Sequence, residues 1–209
     1  MALIVTILVV FALLLISETW WRVRKPHDEF SRKFIHISVG SFAAFWPYFL
    51  SWNTILLLSA AFIVVVTVSL KLGVFKAIHA VERPTWGEIC FAGAVGLLAL
   101  ITREPAIYAV ALLHMGLADG VAALVGTAYG KKNSYKVYGH TKSIAGSLAF
   151  LAVSLTLLIG YATVASTPLN PAVLVLLAMG ATALENVSVR GLDNLVIPVF
   201  VASALTLLG

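Results

Sequence analysis

The chain has 209 residues, 61% of them hydrophobic and only 11% charged, with a mean hydropathy of +1.01, which excludes an ordinary soluble domain. Fourteen Lys and Arg against nine Asp and Glu give a formal net charge of +5. That excess calls for no nucleic-acid partner, because the cations are distributed as topology signals and no segment resembles a DNA- or RNA-binding module. A single cysteine, Cys90, excludes an intramolecular disulfide.

Apolar runs read as membrane spans at 1–19, 34–50, 53–70, 88–102, 105–128, 143–165, 170–185 and 192–208, each near the ~17–25 residues a bilayer-crossing helix needs. The expectation is an all-α, multi-pass bundle of about eight transmembrane helices. It forms a single integral membrane domain over 1–209, with an anchor helix and basic loop over 1–30 and a core over 31–209. The first run lacks a basic n-region and leads into Glu18-Thr19-Trp20-Trp21 rather than a small-residue cleavage site, so it reads as a retained anchor. Trp20 and Trp21 suit an interfacial belt.

The cations collect in four gaps: Arg22, Arg24, Lys25, Arg32 and Lys33; Lys71, Lys76 and Arg83; Lys131, Lys132, Lys136 and Lys142; and Arg190. Only Arg103 falls elsewhere. The positive-inside rule puts these gaps in the cytoplasm and both termini outside. Removing any one span would split the gaps between two faces. On this orientation the Asn186-Val187-Ser188 sequon is cytoplasmic and escapes glycosylation. Spans two, four, six and eight then present their N-termini to the cytoplasm, where unpaired N–H groups and about half a positive charge suit phosphate. Any eight-span protein so oriented shares those dipoles.

In Arg32-Lys33-Phe34-Ile35-His36, Arg32 and His36 are spaced i, i+4 on one helical face and can converge on an anion, although an interfacial anchor explains the same residues. Thr85-Trp86-Gly87-Glu88 matches a capping box, a purely structural explanation for Thr85 and Glu88. Asp119 lies about 13 Å inside span five at ~1.5 Å per residue. A carboxylate at that depth needs a polar cavity or a partner and marks a functional site, with a structural lysine pair as the bland alternative. Around it Gly116, Gly120, Ala123, Gly126 and Gly130 make a small-residue stripe suited to close helix packing.

Gly126-Thr127-Ala128-Tyr129-Gly130-Lys131-Lys132 fails as a P-loop, since three residues separate the glycines and no Ser or Thr follows the lysines. At the start of span six, Thr141 or Ser143 can cap the helix, Lys142 sits beside its positive end, and Gly146 permits close approach. Glu185, Asn186, Asp193 and Asn194 flank the last cytoplasmic turn. Asp193 can simply cap span eight, yet with Asp119 and Glu185 it completes a carboxylate set suited to Mg²⁺.

RKFIH at 32–36, ERPTWGE at 82–88, LADGVAALVGTAYGKK at 117–132, GHTKSIAGSLAF at 139–150 and ENVSVRGLDNLVIP at 185–198 together resemble the CTP-dependent polyprenol kinase family, which includes dolichol and phytol kinases. A more distant similarity extends to phosphatidate cytidylyltransferases. Two departures, Ala145 where many members carry an acid and a shorter segment around Glu185, bear on the lipid rather than on the reaction class.

The resemblance implies a kinase-like core and transfer of the γ-phosphoryl group of CTP to an isoprenoid alcohol held between helices in the bilayer, at a cytoplasm-facing site. Phosphoryl transfer needs positioning and charge neutralisation. It implies Asp119 as metal ligand, with Asp193 or Glu185 as a second Mg²⁺ ligand or as the base that accepts the alcohol proton. Lys142 and Lys131 would meet phosphates, with Arg32, Lys33 and His36 in support. Further nucleotide contacts fall to Glu82, Thr85, Glu88, Lys132, Ser143, Gly146 and Asn194. The alternatives are a CDP-lipid-forming cytidylyltransferase and a small transporter; no repeated halves of the kind transporters show are visible.

Overall fold

The computed structural model describes residues 1–24, 28–72, 86–165 and 169–208. Among these, eight helices follow the eight apolar runs: α1 Ala2–Arg24, α2 Asp28–Ala44, α3 Trp52–Leu72, α4 Gly87–Ile101, α5 over 105–129, α6 Ile144–Val164, α7 Pro171–Val187 and α8 Asp193–Leu208. Four stretches are long and apolar enough to cross a membrane, namely Ala2–Trp20, Trp52–Ser69, Pro105–Lys132 and Ile144–Val164, while α4, α7 and α8 are shorter apolar helices. The protein is a helical integral membrane protein.

The largest boundary correction is at α2. The apolar run predicts 34–50, but the helix begins at Asp28, inside the basic gap, and stops at Ala44. Pro47 then sits in a single 3-10 turn, Trp46–Tyr48, because proline has no N–H with which to continue an α-helix. Lys33 is therefore a helical residue, and it is buried.

α5 forms the centre of the bundle. Tyr108, Leu112 and Met115 are fully buried, and α5 packs against α2, α6 and α8. α8 also packs on α4 and α7, α6 on α7, α3 on α4 and α1 on α2. The small-residue stripe is a packing surface: a Cβ on Gly40 of α2 would lie 3.1 Å from the Cα of Gly116 on α5, so only glycine allows this approach. By contrast, Ile4, Leu8, Phe11 and Ile16 of α1 and Leu57, Val64 and Val65 of α3 are exposed. Lipid accepts such apolar faces when each helix satisfies its own backbone.

α5 is interrupted. Pro105–Leu113 and Asp119–Tyr129 are joined by a π-turn, His114–Ala118, which re-aims the following side chains and frees backbone carbonyls. His114, fully buried, has Nδ1 2.7 Å from the Val110 carbonyl oxygen and Nε2 2.9 Å from Ser154 Oγ on α6. The carbonyl can only accept, so Nδ1 carries the proton and Nε2 of the neutral ring accepts from the Ser154 hydroxyl.

The segment between α5 and α6, read from sequence as a plain basic gap, also carries structure. A 3-10 turn Gly130–Lys132 leads into an antiparallel hairpin of β1 Ser134–Val137 and β2 His140–Ser143, with Val137 opposite His140. Its two-residue connection, Tyr138 (φ 47°) and Gly139 (φ 80°), is left-handed at both positions, the conformation that matches hairpin twist. An all-α description therefore omits the element that carries Lys142. Away from the basic gaps, the Arg103 guanidinium lies 5.6 Å over the Trp52 ring, giving the one stray cation a place between the end of α4 and the start of α3.

Candidate functional site

The first turns of α2, the second half of α5, the hairpin, the start of α6, the end of α7 and the start of α8 enclose a cavity of about 760 Å³. Lys33, Asp119, Lys131, Lys142, Ser143, Gly146, Glu185, Asp193 and Asn194, all expected site residues, line it. The volume lies within the ~300–1,000 Å³ range of small-molecule sites.

Asp119 follows the π-turn directly. The Lys33 ammonium donates to its carboxylate, and the two side chains are only 7% and 6% exposed. His36 Nε2 lies 3.7 Å from the same carboxylate and donates to the Met115 carbonyl, 3.1 Å away within the π-turn. Sequence spacing predicted that this face of α2 converges on an anion; the anion that Lys33 and His36 meet is Asp119 itself. The side chain of Arg32 lies outside the described residues.

On the opposite side, Lys142 projects from β2 and donates both to the Glu185 carboxylate and, at 2.8 Å, to the Glu185 backbone carbonyl. Burial pulls the ammonium down, but the Glu185 carboxylate, with Asp193 and Asp119 beyond it, holds its pKa above the ordinary lysine value. It therefore stays a cation at neutral pH. Lys136, on the opposite face of the same hairpin, is exposed, as strand alternation requires.

Ser143 caps α6 by accepting from Gly146 N at 3.1 Å, which satisfies one of the orphan donors at the helix start. A Cβ on Gly146 would approach the Ala122 carbonyl at 3.0 Å, so this glycine lets the start of α6 lie against α5. The hairpin is braced by Tyr135, whose hydroxyl donates to Asn186 Oδ1 and lies 2.8 Å from Ser147 Oγ; Ser147 in turn donates to Asn186 Oδ1 at 2.9 Å. At the start of α8, Asp193 Oδ1 accepts from Asn194 N at 3.1 Å, and Asn194 Nδ2 donates to the Gly87 carbonyl at 2.9 Å.

Some expected residues fall elsewhere. Lys132 is exposed and outside the cavity wall, and His36 and Glu88 line a neighbouring slot. Glu82 and Thr85 lie outside the described residues. α4 begins at Gly87 with Trp86 as its flanking residue and no side-chain cap, so the capping-box reading gains no support from Glu88. Among the described residues no group of three or more His, Cys, Asp or Glu is placed to hold a metal ion. Asp119, Glu185 and Asp193 share the cavity without forming a ready-made three-ligand cluster. Mg²⁺ asks for less, since it is commonly held by one or two carboxylates and the substrate's phosphates; that donor set is present.

Two features went unread in the sequence. Arg190 lines the cavity with a left-handed backbone, φ 57°, followed by Gly191 at φ 85°. Its carbonyl accepts from Trp86 N at 3.0 Å, which ties the α7–α8 turn to the start of α4. The Arg-Gly pair between two apolar runs was the available signal. The second is the His114–Ser154 bond behind Asp119, signalled only by a histidine inside an apolar run.

No family model matches the chain, and no solved structure matches it. The chain is 30% identical over 195 residues, covering 90% of its own length and 82% of the relative's, to a phytol kinase from Synechocystis sp.. With this match the chain belongs to the polyprenol/phytol kinase-like family.

Proposed function

We propose that the protein is a membrane-embedded kinase that moves the γ-phosphoryl group of CTP to the hydroxyl of an isoprenoid alcohol. The observation that carries this reading is the cavity itself, in which Lys33, Lys131, Lys142 and Arg190 face the carboxylates of Asp119, Glu185 and Asp193 at one end of an apolar bundle. Cations there match a triphosphate, carboxylates match a divalent ion or a proton, and the bundle matches a lipid acceptor. The relative's name as a phytol kinase supports an isoprenoid alcohol as acceptor. The family resemblance supports CTP as donor.

In the proposed reaction the alcohol oxygen forms a bond to the γ-phosphorus. The bond from that phosphorus to the β,γ-bridging oxygen breaks, its electron pair leaves with CDP, and the hydroxyl proton passes to a carboxylate. We assign that proton to Asp193, because Lys142 already engages Glu185 and Lys33 engages Asp119. Asp119 and Glu185 would hold Mg²⁺, which when bound neutralises charge on the phosphates. Lys131, Lys142 and Arg190 orient the triphosphate, and the capped start of α6 adds a positive helix end.

All eight helices then span the bilayer, both termini lie outside, and the cavity opens to the cytoplasm. A reporter fused after Gly209 is expected to be active only outside the cytoplasm; cytoplasmic activity would overturn that orientation. For the reaction, purified protein in lipid is supplied with CTP labelled at the γ- or α-phosphorus and an isoprenoid alcohol. Label from the γ position is expected in an organic-extractable monophosphate. Label entering lipid only from the α position, with pyrophosphate released when phosphatidate is supplied, would instead establish a cytidylyltransferase.

A further inference from the structure

Beside the polar cavity lies a small slot of about 50 Å³ between α1, α2, α3 and α4. Its walls are apolar, including Leu14 of α1, Val39 of α2, Phe62 and Val66 of α3 and Phe91 of α4. Its polar groups are His36, Glu88 and Asn194. Asn194 lines both the slot and the cavity, and His36 lies 3.7 Å from the Asp119 carboxylate of the cavity. The two spaces therefore share Asn194 in their walls, with His36 of the slot beside Asp119 of the cavity, charged groups on one side and hydrocarbon on the other.

We infer that this slot holds the hydroxyl-bearing isoprene unit of the acceptor, and that the rest of the tail leaves sideways between α1 and α3 into the bilayer. The inference rests on the kinase reading for the identity of the alcohol. A volume of ~50 Å³ takes on the order of three to five non-hydrogen atoms at ~10–15 Å³ each, so it holds most of one five-carbon unit, with the hydroxyl left to reach toward the cavity, and a long tail does not fit. The tail thus needs an exit. α1 packs chiefly on α2 and α3 chiefly on α4, and the outer faces of α1 and α3 are exposed apolar surface. Val66 lies within the apolar stretch Trp52–Ser69, which is long enough to cross a membrane. A membrane-dissolved alcohol can therefore present its head to the cavity without leaving the bilayer. The amphipathic lining suits an alcohol better than a charged lipid, because Phe62, Val66 and Leu14 offer a phosphate no compensation for lost water.

The test uses the full-length protein in lipid nanodiscs and a C15 isoprenoid alcohol with a diazirine on its first isoprene unit. Light-driven label is expected on peptides containing Leu14, Phe62 or Val66, and excess unlabelled geranylgeraniol should remove it. Label confined to other helices, or label in the slot that geranylgeraniol does not compete, would overturn the inference. In parallel, Val66→Trp and the more peripheral Leu14→Trp are expected to raise the KM for the alcohol about tenfold or more while leaving the KM for CTP within about twofold, the scale on which apolar pockets discriminate. Unchanged alcohol KM in both variants, with transfer intact, would remove the slot and leave the kinase standing. Competed label in the slot without transfer to any alcohol would do the reverse.

Discussion

Lys33–Asp119 and Lys142–Glu185 are lysine–carboxylate pairs on opposite sides of one cavity, and different scaffolds hold them. The first joins two helices, with both side chains under a tenth exposed and His36 close by. The second joins a hairpin to the last turns of α7, and its lysine is 18% exposed. A fully enclosed pair cannot open without leaving a charge stranded in low dielectric. A lysine on a braced hairpin, at the rim of the same cavity, can exchange its carboxylate for a phosphate at much smaller cost. Under the proposed kinase reading, this difference suits Lys33 to holding Asp119 in place and Lys142 to meeting the nucleotide.

The sharpest way to break this assignment is at Asp119. Asp119→Asn is expected to lower phosphoryl transfer by about 10³-fold or more, the scale of losing a charge that acts on the transferred group. It should also cost about 3–5 kcal/mol of stability, because Lys33 is left buried and unpaired. The double variant Lys33→Met/Asp119→Asn should recover much of that stability, read as detergent thermal stability, without recovering transfer. Restored transfer in the double variant would show that the pair is only structural.

Lys142 offers the complementary test. Lys142→Ala is expected to raise the KM for CTP about 10–100-fold, the worth of a charge-assisted hydrogen bond. Lys136→Ala, on the exposed face of the same hairpin, should change it less than about twofold. Equal losses would reduce the hairpin to a generic basic surface.

Arg190 separates side-chain charge from backbone strain. Arg190→Gly keeps the left-handed backbone without a Cβ penalty, so stability should hold within about 1 kcal/mol while the KM for CTP rises about tenfold. A stability loss at constant KM would make the residue a turn former only. Among the buried positions, the smallest effect on transfer is expected behind the first pair. Ser154→Ala removes the hydroxyl that His114 Nε2 accepts and should cost about 1–3 kcal/mol of stability. Turnover should fall by a small factor, since Asp119 keeps Lys33 and His36.

Much of the bundle and part of the site were legible before any coordinates. Hydrophobic runs report helices because in lipid the backbone must bond to itself, so among the described residues each of the eight runs is matched by a helix within a few residues, α2 excepted. Asp119, Lys142, Glu185 and Asp193 stood out because a charge in or beside an apolar run is costly unless used. Lys33 did not separate from Arg32 on this ground, since both precede the apolar run at 34–50 in a basic cluster; the structure, with α2 starting at Asp28, shows that Lys33 is buried against Asp119.

Composition and charge pattern by themselves determined that the chain is a membrane protein and singled out short segments whose residues line the cavity, because those properties depend on residue type and local spacing. Tertiary structure alone decided who meets whom. The pairing of Lys33 with Asp119 spans 86 positions and that of Lys142 with Glu185 spans 43, separations over which no local periodicity carries information. Distant partners also hold the hairpin, through Tyr135 and Asn186, the π-turn, through His36 and the Met115 carbonyl, and the left-handed Arg190, through its carbonyl and Trp86 N.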